Sequence, residues 1–287
     1  MRKFYELSPL TYKISRIKEI GKRKVIDFAS HKKFASTFSE EVLPVVIYKH
    51  NSLIRRKLNN VDMTLQENKA TNLKIATPKV NKIIIQPGET FSFWNLVGSI
   101  TKKKGYKQGL TVKNGYVDRD IGGGMCQFTN LIHFMVLHSS LEVTELHHHN
   151  GIDMFPDFGR KVPFGTGTSV MYNSLDYEFK NTSSDITYQL ITYTDDEYLY
   201  GELRANKLED YKYHIKEDYS YFEKDEHDTW YRFNQVSKIC IDKRTGNEKY
   251  RKVIVTNKAR VLYDEKFINP EYVRNFVISN SDRSYDN

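Results

Sequence analysis

Gly122-Gly123-Gly124-Met125-Cys126-Gln127 is the stretch that decides how the middle of this 287-residue chain folds. Glycine adopts backbone angles that other residues avoid, so three in a row indicate a tight turn or a close approach of another group to the main chain. Apolar residues then recur at helical spacing, at Phe128, Leu131, Ile132, Met135 and Val136. The pattern predicts a helix with Cys126 in its first turn.

Cys126 has two interpretations in that position. The free backbone N–H groups and the helix dipole at a helix start favour a thiolate, which makes Cys126 a candidate nucleophile. Gly122, Gly123 and Gly124 would then form an oxyanion hole or ligand cradle, and alanine at Gly123 or Gly124 should impair function more than stability. In the alternative, Cys126 is a small buried residue and the glycines only make a turn.

One face of the predicted helix carries polar side chains. Cys126, Asn130 and His133 stand at i, i+4 and i+7 and share that face. We interpret the face as a pocket wall, although it could also simply meet solvent. With Gln127 and the three glycines, Asn130 and His133 make up the predicted substrate-binding residues.

A histidine cluster follows the predicted helix. Residues 141–146 alternate as a strand does, and His147-His148-His149 comes at its end. Histidine titrates near neutrality, so one of His147, His148 and His149 is the candidate general base. On an extended segment His147 and His149 share a face and His148 takes the other, and His147 and His149 are our choice. Asp153 is the predicted orienting carboxylate, and Asp157 a second choice for that role.

Two other interpretations of the histidines stay open. They could bind zinc with Cys126 or His133, or they could only cap the strand and hydrogen-bond to a loop. Adjacent histidines on one strand cannot all ligate one ion, and no second paired motif is present. We therefore predict neither a metal nor a cofactor.

The positive charge is concentrated at the N-terminus. Residues 1–60 hold 14 Lys or Arg and 5 Asp or Glu, whereas the remainder sums to −1. Apolar residues at helical spacing predict helices over 12–29 and 37–48. A solvated helix face explains the charge, with weak contact to a membrane surface as the alternative. No nucleic-acid-binding signature is present, which argues against a nucleic-acid partner.

The sequence also predicts location and domain organisation. The N-terminus lacks the apolar core of a signal peptide, and no apolar run approaches the ~20 residues that span a bilayer, so we expect a cytoplasmic protein. Three parts are expected: a basic helical segment (1–60), a core domain (61–205) and a Tyr-rich extension (206–287). Short predicted strands are 83–85, 111–112 and 116–117 on either side of a hairpin turn at Asn114-Gly115, 167–172, 177–180, 186–193 and 198–203. A long hairpin is predicted from 238–242 and 252–255. The fold is α+β, with the cysteine helix packed on a mostly antiparallel sheet.

The ordered motifs resemble the VanW family, which takes its name from vancomycin-type glycopeptide resistance. The motifs that carry the resemblance are 65–69 (LQENK), 87–94 (PGETFSFW), 105–106 (GY), 122–127 (GGGMCQ), 130–133 (NLIH), 147–149 (HHH), 153–157 (DMFPD), 162–167 (VPFGTG), 181–182 (NT) and 201–204 (GELR). They cover residues 50–205 densely. The resemblance implies a setting of antibiotic resistance and the cell wall, without implying a reaction.

A weaker resemblance is to transglutaminase-like and papain-like cysteine enzymes, in which a helix-borne thiol is activated by a strand-borne histidine. It makes a Cys/His-dependent enzyme acting on an amide or peptide-like substrate our first hypothesis, with a small-molecule or peptide-like wall precursor as the substrate. The alternative is a non-catalytic binding module that uses the same groove for a peptide or glycan.

Overall fold

The computed structural model describes residues 8–55, 62–113, 116–148, 151–157, 161–172 and 174–274. The helices in this part of the chain are α1 (Pro9–Ala29), α2 (Met63–Ala76), α3 (Phe93–Val97) and α4 (Met125–Leu137). The strands are β1 (Thr37–Phe38), β2 (Val45–Leu53), β3 (Ile83–Ile85), β4 (Thr90–Ser92), β5 (Gln108–Lys113), β6 (Tyr116–Ile121), β7 (Glu142–Glu145), β8 (Ile152–Asp153), β9 (Glu178–Lys180), β10 (Tyr188–Thr194), β11 (Tyr198–Ala205), β12 (Tyr211–Lys224), β13 (Trp230–Asp242) and β14 (Glu248–Val261). The predicted α+β class is confirmed.

The centre of the protein is a five-stranded antiparallel sheet with the order β1-β3-β10-β11-β2. Along β11, every second residue is buried, as expected for a strand with one covered face. The helix α4 lies close to this sheet: a Cβ on Gly201 would come within 2.7 Å of side-chain atoms of Met135 and Leu131. The predicted packing of the cysteine helix on an antiparallel sheet is therefore confirmed.

Two smaller sheets lie within residues 61–205, the part of the chain predicted as the core domain. One has the order β4-β9-β7, and Phe91 of β4 stacks on Phe179 of β9 with ring centroids 4.6 Å apart. Phe93, the first residue of α3, packs edge-on against Phe128 of α4. The other is the predicted hairpin of β5 and β6, whose turn residues Asn114 and Gly115 lie outside the described residues.

The C-terminal extension is a sheet with the order β12-β13-β14-β8. The predicted hairpin is confirmed as β13 and β14, and both strands are longer than the sequence indicated. The short strand β8 comes from the core domain and pairs in parallel with β14, Val261 opposite Asp153. The extension is thus joined to the core by backbone hydrogen bonds as well as by the chain itself.

Two local predictions are wrong. Residues 37–48 form no helix: Thr37–Phe38 is β1 and the chain enters β2 at Val45. Pro44 disfavours a helix there, the β-branched residues after it favour a strand, and pairing with β11 settles the choice. Residues 167–172 form no strand, because this segment bonds to the side chain of Asn130 and to His147 instead of to a ladder.

The N-terminal segment contributes to the central sheet. Its β1 and β2 are the two edge strands of the five-stranded sheet, whereas α1 lies outside it. Within the described residues, no helix has the length and apolar character needed to cross a membrane.

Candidate functional site

Cys126 is the second residue of α4, as predicted; the residue as a whole is half-buried, and its sulfur is shielded from water. The thiol lies 3.9 Å from the carbonyl oxygen of Val170, to which it can donate. Burial raises the pKa of the Cys126 thiol, although hydrogen bonds to the sulfur act in the opposite direction. The expectation of a low thiol pKa is therefore wrong, because the loss of water around the sulfur outweighs the stabilising groups at the helix start.

The polar face of α4 is covered by the protein's own chain. Residues 166–170, here called the covering segment, lie over it. The Thr168 N–H donates to Asn130 Oδ1 at 2.5 Å, and the Thr168 hydroxyl donates to the same oxygen at 2.9 Å. Asn130 and Cys126 are thus brought to one face, as the spacing predicted, but that face is a contact with the covering segment rather than an open wall.

His147 and His148 lie on the other side of the covering segment. His148 Nδ1 is 2.7 Å from the carbonyl oxygen of Gly167, and the Ser169 N–H donates to the carbonyl oxygen of His147 at 2.6 Å. The covering segment therefore lies between the cysteine helix and the histidines. His149 lies outside the described residues, so its role stays a prediction.

His133 is buried in the core. Its Nδ1 is 3.0 Å from the hydroxyl of Tyr177. Burial lowers the pKa of His133 to about 3, with smaller effects from His148 and Lys238. His133 is therefore neutral at physiological pH, and it joins α4 to the residue that precedes β9.

Asp153 and Asp157 join the core domain to the C-terminal sheet. Arg232 of β13 makes two 2.8 Å hydrogen bonds to Asp157 and one of 3.4 Å to Asp153. Asp153 is buried and also accepts from the hydroxyl of Tyr263 at 3.0 Å. These contacts account for both carboxylates structurally, while orientation of a histidine by Asp153 stays a prediction.

The glycine turn is explained by close packing. Gly122 and Gly124 have φ angles of 90° and 108°, and a Cβ on Gly124 would lie 2.8 Å from Lys69 Cγ. A Cβ on Gly123 would lie 2.6 Å from backbone atoms of Gly109 in β5. The buried Asn72 of α2 donates to the carbonyl oxygen of Gly123 at 2.9 Å. Here the requirement for glycine comes from neighbouring chain rather than from a ligand.

Gln127 also has a partner within the protein. Its side-chain nitrogen donates to Ser52 Oγ at 2.8 Å and to the carbonyl oxygen of Leu53 at 2.9 Å. Both acceptors belong to β2. Gln127 thus ties the start of the cysteine helix to the edge of the central sheet.

A polar cleft that the sequence did not reveal opens between α1 and α3. Its lining residues are Arg23, Asp27, Trp94, Asn95, Ser174 and Asp176. Asp176 is buried and accepts from the Ser92 hydroxyl at 2.6 Å and from the backbone N–H groups of Tyr177 and Trp94 at 2.7 and 3.1 Å. Burial raises the pKa of Asp176 to about 6, because desolvation outweighs these hydrogen bonds and the nearby Arg23.

Arg23 connects the cleft to the histidine strand. Its guanidinium contacts Glu145 at 2.7 Å and the fully buried Glu178 at 2.5 Å. Glu178 also meets Lys32 at 2.6 Å, and Glu145 lies 3.0 Å from His147 Nε2. An arginine of the basic N-terminal helix therefore neutralises carboxylates of the core domain. A perturbed carboxyl in a polar concavity is a usual mark of a binding site, although ion-pair networks shift pKa values too.

Two signals could have pointed to these residues. Glu145 is separated from the histidine cluster by one residue, and Asp176 and Glu178 alternate around Tyr177 in a segment that is otherwise apolar enough for a buried strand. Carboxylates in such a place need a cation. The identity of that cation could not be read from the sequence, because Arg23 is more than 120 residues away. No group of three or more metal-binding side chains occurs among the described residues.

The chain belongs to the VanW family. The model of this family, described as "VanW like protein", matches residues 68–204. The vancomycin B-type resistance protein VanW of Enterococcus faecalis (strain ATCC 700802 / V583) is 33% identical over 230 residues, which cover 80% of this chain and 82% of that protein. The uncharacterized protein YoaR of Bacillus subtilis (strain 168) is 26% identical over 118 residues, 40% of this chain and 36% of its own length. No solved structure matches the chain.

Proposed function

We propose that this member of the VanW family is a non-catalytic protein that binds a peptide- or glycan-like component of the cell wall on the surface around the small cleft beside Asp176. The observation that carries the proposal is the contrast between two places. The small cleft is open to solvent, with the half-buried Asp27 and the exposed Asn95 at its mouth, whereas the cysteine groove is filled by the covering segment. The wall setting comes from the name of the relative, which is a vancomycin resistance protein.

The cleft offers the groups that such a ligand needs. The half-buried Asp27 can accept a hydrogen bond from a hydroxyl or amide group, and the exposed Asn95 can both donate and accept. Asp176 is buried behind them, and its oxygens already accept from groups of the protein. Trp94 forms the floor of the cleft, where it is almost completely buried. A few placed polar groups next to an aromatic wall are typical of sites for small polar ligands.

Asn95→Ala tests the proposal, because Asn95 is exposed and its loss leaves the core intact. The probe is a soluble disaccharide-pentapeptide fragment of peptidoglycan, titrated calorimetrically against the full chain. We expect measurable binding by the wild type and about tenfold weaker binding by the variant, as for the loss of a contact in a small site. Asn247→Ala, in the exposed turn between β13 and β14, is the matched control. Binding that is unchanged in Asn95→Ala, or no binding by the wild type, contradicts the proposal.

A second candidate is the Cys/His-dependent enzyme acting on an amide or peptide-like substrate. It is favoured by one observation: Cys126 in the first turn of α4 and the strand of His147 and His148 contact the two sides of one covering segment. Catalysis requires the covering segment to move away from Cys126. It also requires a lower thiol pKa than the buried position gives. Cys126→Ser separates the candidates, since a full resistance phenotype in the variant eliminates the nucleophile. A cytoplasmic location stays a prediction under both candidates.

A further inference from the structure

The outer face of α1 is apolar and exposed. Its apolar stripe is defined by Leu10, Ile14, Ile17, Val25 and Phe28, whose side chains are 66%, 48%, 60%, 68% and 87% exposed. At about 100° per residue, the five positions fall within an arc of about 80° on the helix surface. Such a contiguous exposed stripe usually marks a surface that meets a partner.

Lysines border the stripe. Lys18 and Lys22 lie on one side and Lys24 on the other, and all three are exposed. The helix as a whole carries six Lys or Arg and two Asp or Glu. An apolar stripe bordered by basic residues is the pattern of helices that lie in the interface of a membrane with anionic lipids.

The orientation of α1 leaves the stripe free to make this contact. Arg23 projects roughly 150° away from the centre of the stripe by helical geometry. It is held there by Glu145 and Glu178 of the core domain. The ion pairs therefore fasten the opposite face of α1 to the protein and turn the stripe outward. Ser8 caps the start of the helix and accepts from the Thr11 N–H, so the stripe begins on an ordered turn.

We infer that α1 binds an anionic lipid surface with the apolar stripe inserted at the headgroup boundary. The apolar stripe could be covered by lipid or by a second copy of this chain, and the bordering positive charge favours lipid. Two copies paired through the stripe would bring their bordering lysines together, and like charges at that distance repel. Anionic headgroups instead match the lysines while the acyl region accepts the apolar side chains. This surface is separate from the proposed ligand cleft, and the inference does not depend on that function.

Sedimentation of the full chain with vesicles tests the inference. The vesicles are phosphatidylcholine alone or phosphatidylcholine with phosphatidylglycerol, at low and high salt. We expect binding to the anionic vesicles to exceed binding to the neutral ones by about tenfold or more and to fall as salt rises. The double variant Val25→Gln, Phe28→Gln keeps good helix formers and should bind about tenfold more weakly, because two inserted apolar side chains are lost.

Two control variants change an exposed apolar residue and an exposed lysine outside α1. Leu208→Gln changes an apolar residue that is 68% exposed elsewhere, and Lys249→Gln changes an exposed lysine of β14; both should bind as the wild type does. Circular dichroism verifies that the helix content of each variant is unchanged. Equal binding to neutral and anionic vesicles, or no effect of the double variant, overturns the inference. So does a dimer in analytical ultracentrifugation that the double variant abolishes, since this result assigns the stripe to a second copy.

Discussion

Gly123 lies against Gly109 with no space for a side chain between them. A Cβ on Gly123 would come within 2.6 Å of Gly109 Cα, and a Cβ on Gly109 would come within 2.9 Å of Gly123 Cα. Real Cβ atoms do not approach other heavy atoms so closely. The contact holds the turn before α4 against the backbone of β5. Asn72 joins the turn to the start of β5, because its side chain donates hydrogen bonds to the carbonyl oxygens of Gly123 and of Lys107, the residue before β5.

Gly123→Ala should therefore lower stability before it affects any ligand. The added methyl group forces two backbones apart, which costs on the order of 1 to 3 kcal/mol of the free energy of unfolding. Urea denaturation measures the loss. Gly21→Ala is the control, because its Cβ meets nothing within 4 Å and alanine favours a helix. Unchanged stability together with lost function would restore the interpretation of the turn as a ligand cradle.

The thiol of Cys126 should react slowly at neutral pH. Since burial raises its pKa, the alkylation rate in a Cys240→Ser background should keep rising above pH ~8.5, where a free thiol is half ionised. Iodoacetamide labelling followed by mass spectrometry gives the rate at each pH, and the same protein in urea provides the reference. Rapid labelling of the folded protein at pH 7 would favour the nucleophile after all.

The carboxyl of Asp176 should make stability depend on pH. Its pKa is about 6 in the folded protein, against an ordinary aspartate value of 3.8 that holds in the unfolded chain. Because the folded state binds the proton of Asp176 more tightly than the unfolded chain does, protonation of Asp176 stabilises the folded protein. This stabilisation is fully present below about pH 4 and is lost as the pH rises through about 6. The size is on the order of 3 kcal/mol of unfolding free energy.

Asp176→Asn isolates that contribution. The variant keeps an oxygen for the N–H groups of Trp94 and Tyr177 and cannot ionise. Its unfolding free energy minus that of the wild type should rise between pH 4 and pH 6, while other titrating groups cancel in the difference. Asp264→Asn is the control with the opposite sign, because the Lys266 backbone N–H lowers the pKa of Asp264. A flat difference for Asp176→Asn refutes a raised pKa.

Arg23→Met should loosen α1. The substitution leaves Glu145 without its guanidinium and Glu178 with Lys32 alone. Breaking a buried ion pair from one side costs about 3 to 5 kcal/mol, and we expect the lower end here because part of the network remains and Arg23 is partly exposed. Limited trypsin digestion should then cleave within α1 sooner than in the wild type. Arg244→Met, at an exposed turn, serves as the comparison, and equal cleavage of both variants would show that Arg23 does not hold the helix.

Helices and hairpins could be predicted from the sequence, because the signals that define them lie in residues close together along the chain. The apolar spacing after Cys126 predicted α4, and Thr245-Gly246-Asn247 predicted the hairpin of β13 and β14. The strand β2 was misassigned because its short pattern has a helical interpretation as well. Pro44 and the β-branched residues after it are local signals for a strand, and the pairing of Val45 with the distant Ala205 settles the choice.

The site was predicted less well, for a similar reason. The spacing of Cys126 and Asn130 correctly placed them on one face, but the spacing could not indicate that Thr168 covers it. The reactivity of the thiol was inferred from the helix start alone, and desolvation by the covering segment was not visible. The cleft depends on Arg23 meeting Glu178, a contact between distant parts of the chain.

The pairing of β2 with β11 also constrains the order of events during synthesis. The central sheet cannot close until residue 205 has emerged from the ribosome, since Val45 and Ala205 are partners. In contrast, β12, β13 and β14 follow one another and pair with sequence neighbours, and such local topology folds fast. β2 therefore stays unpaired while residues 54–197 are synthesised, and its free strand edges expose the nascent N-terminal half to aggregation during that time.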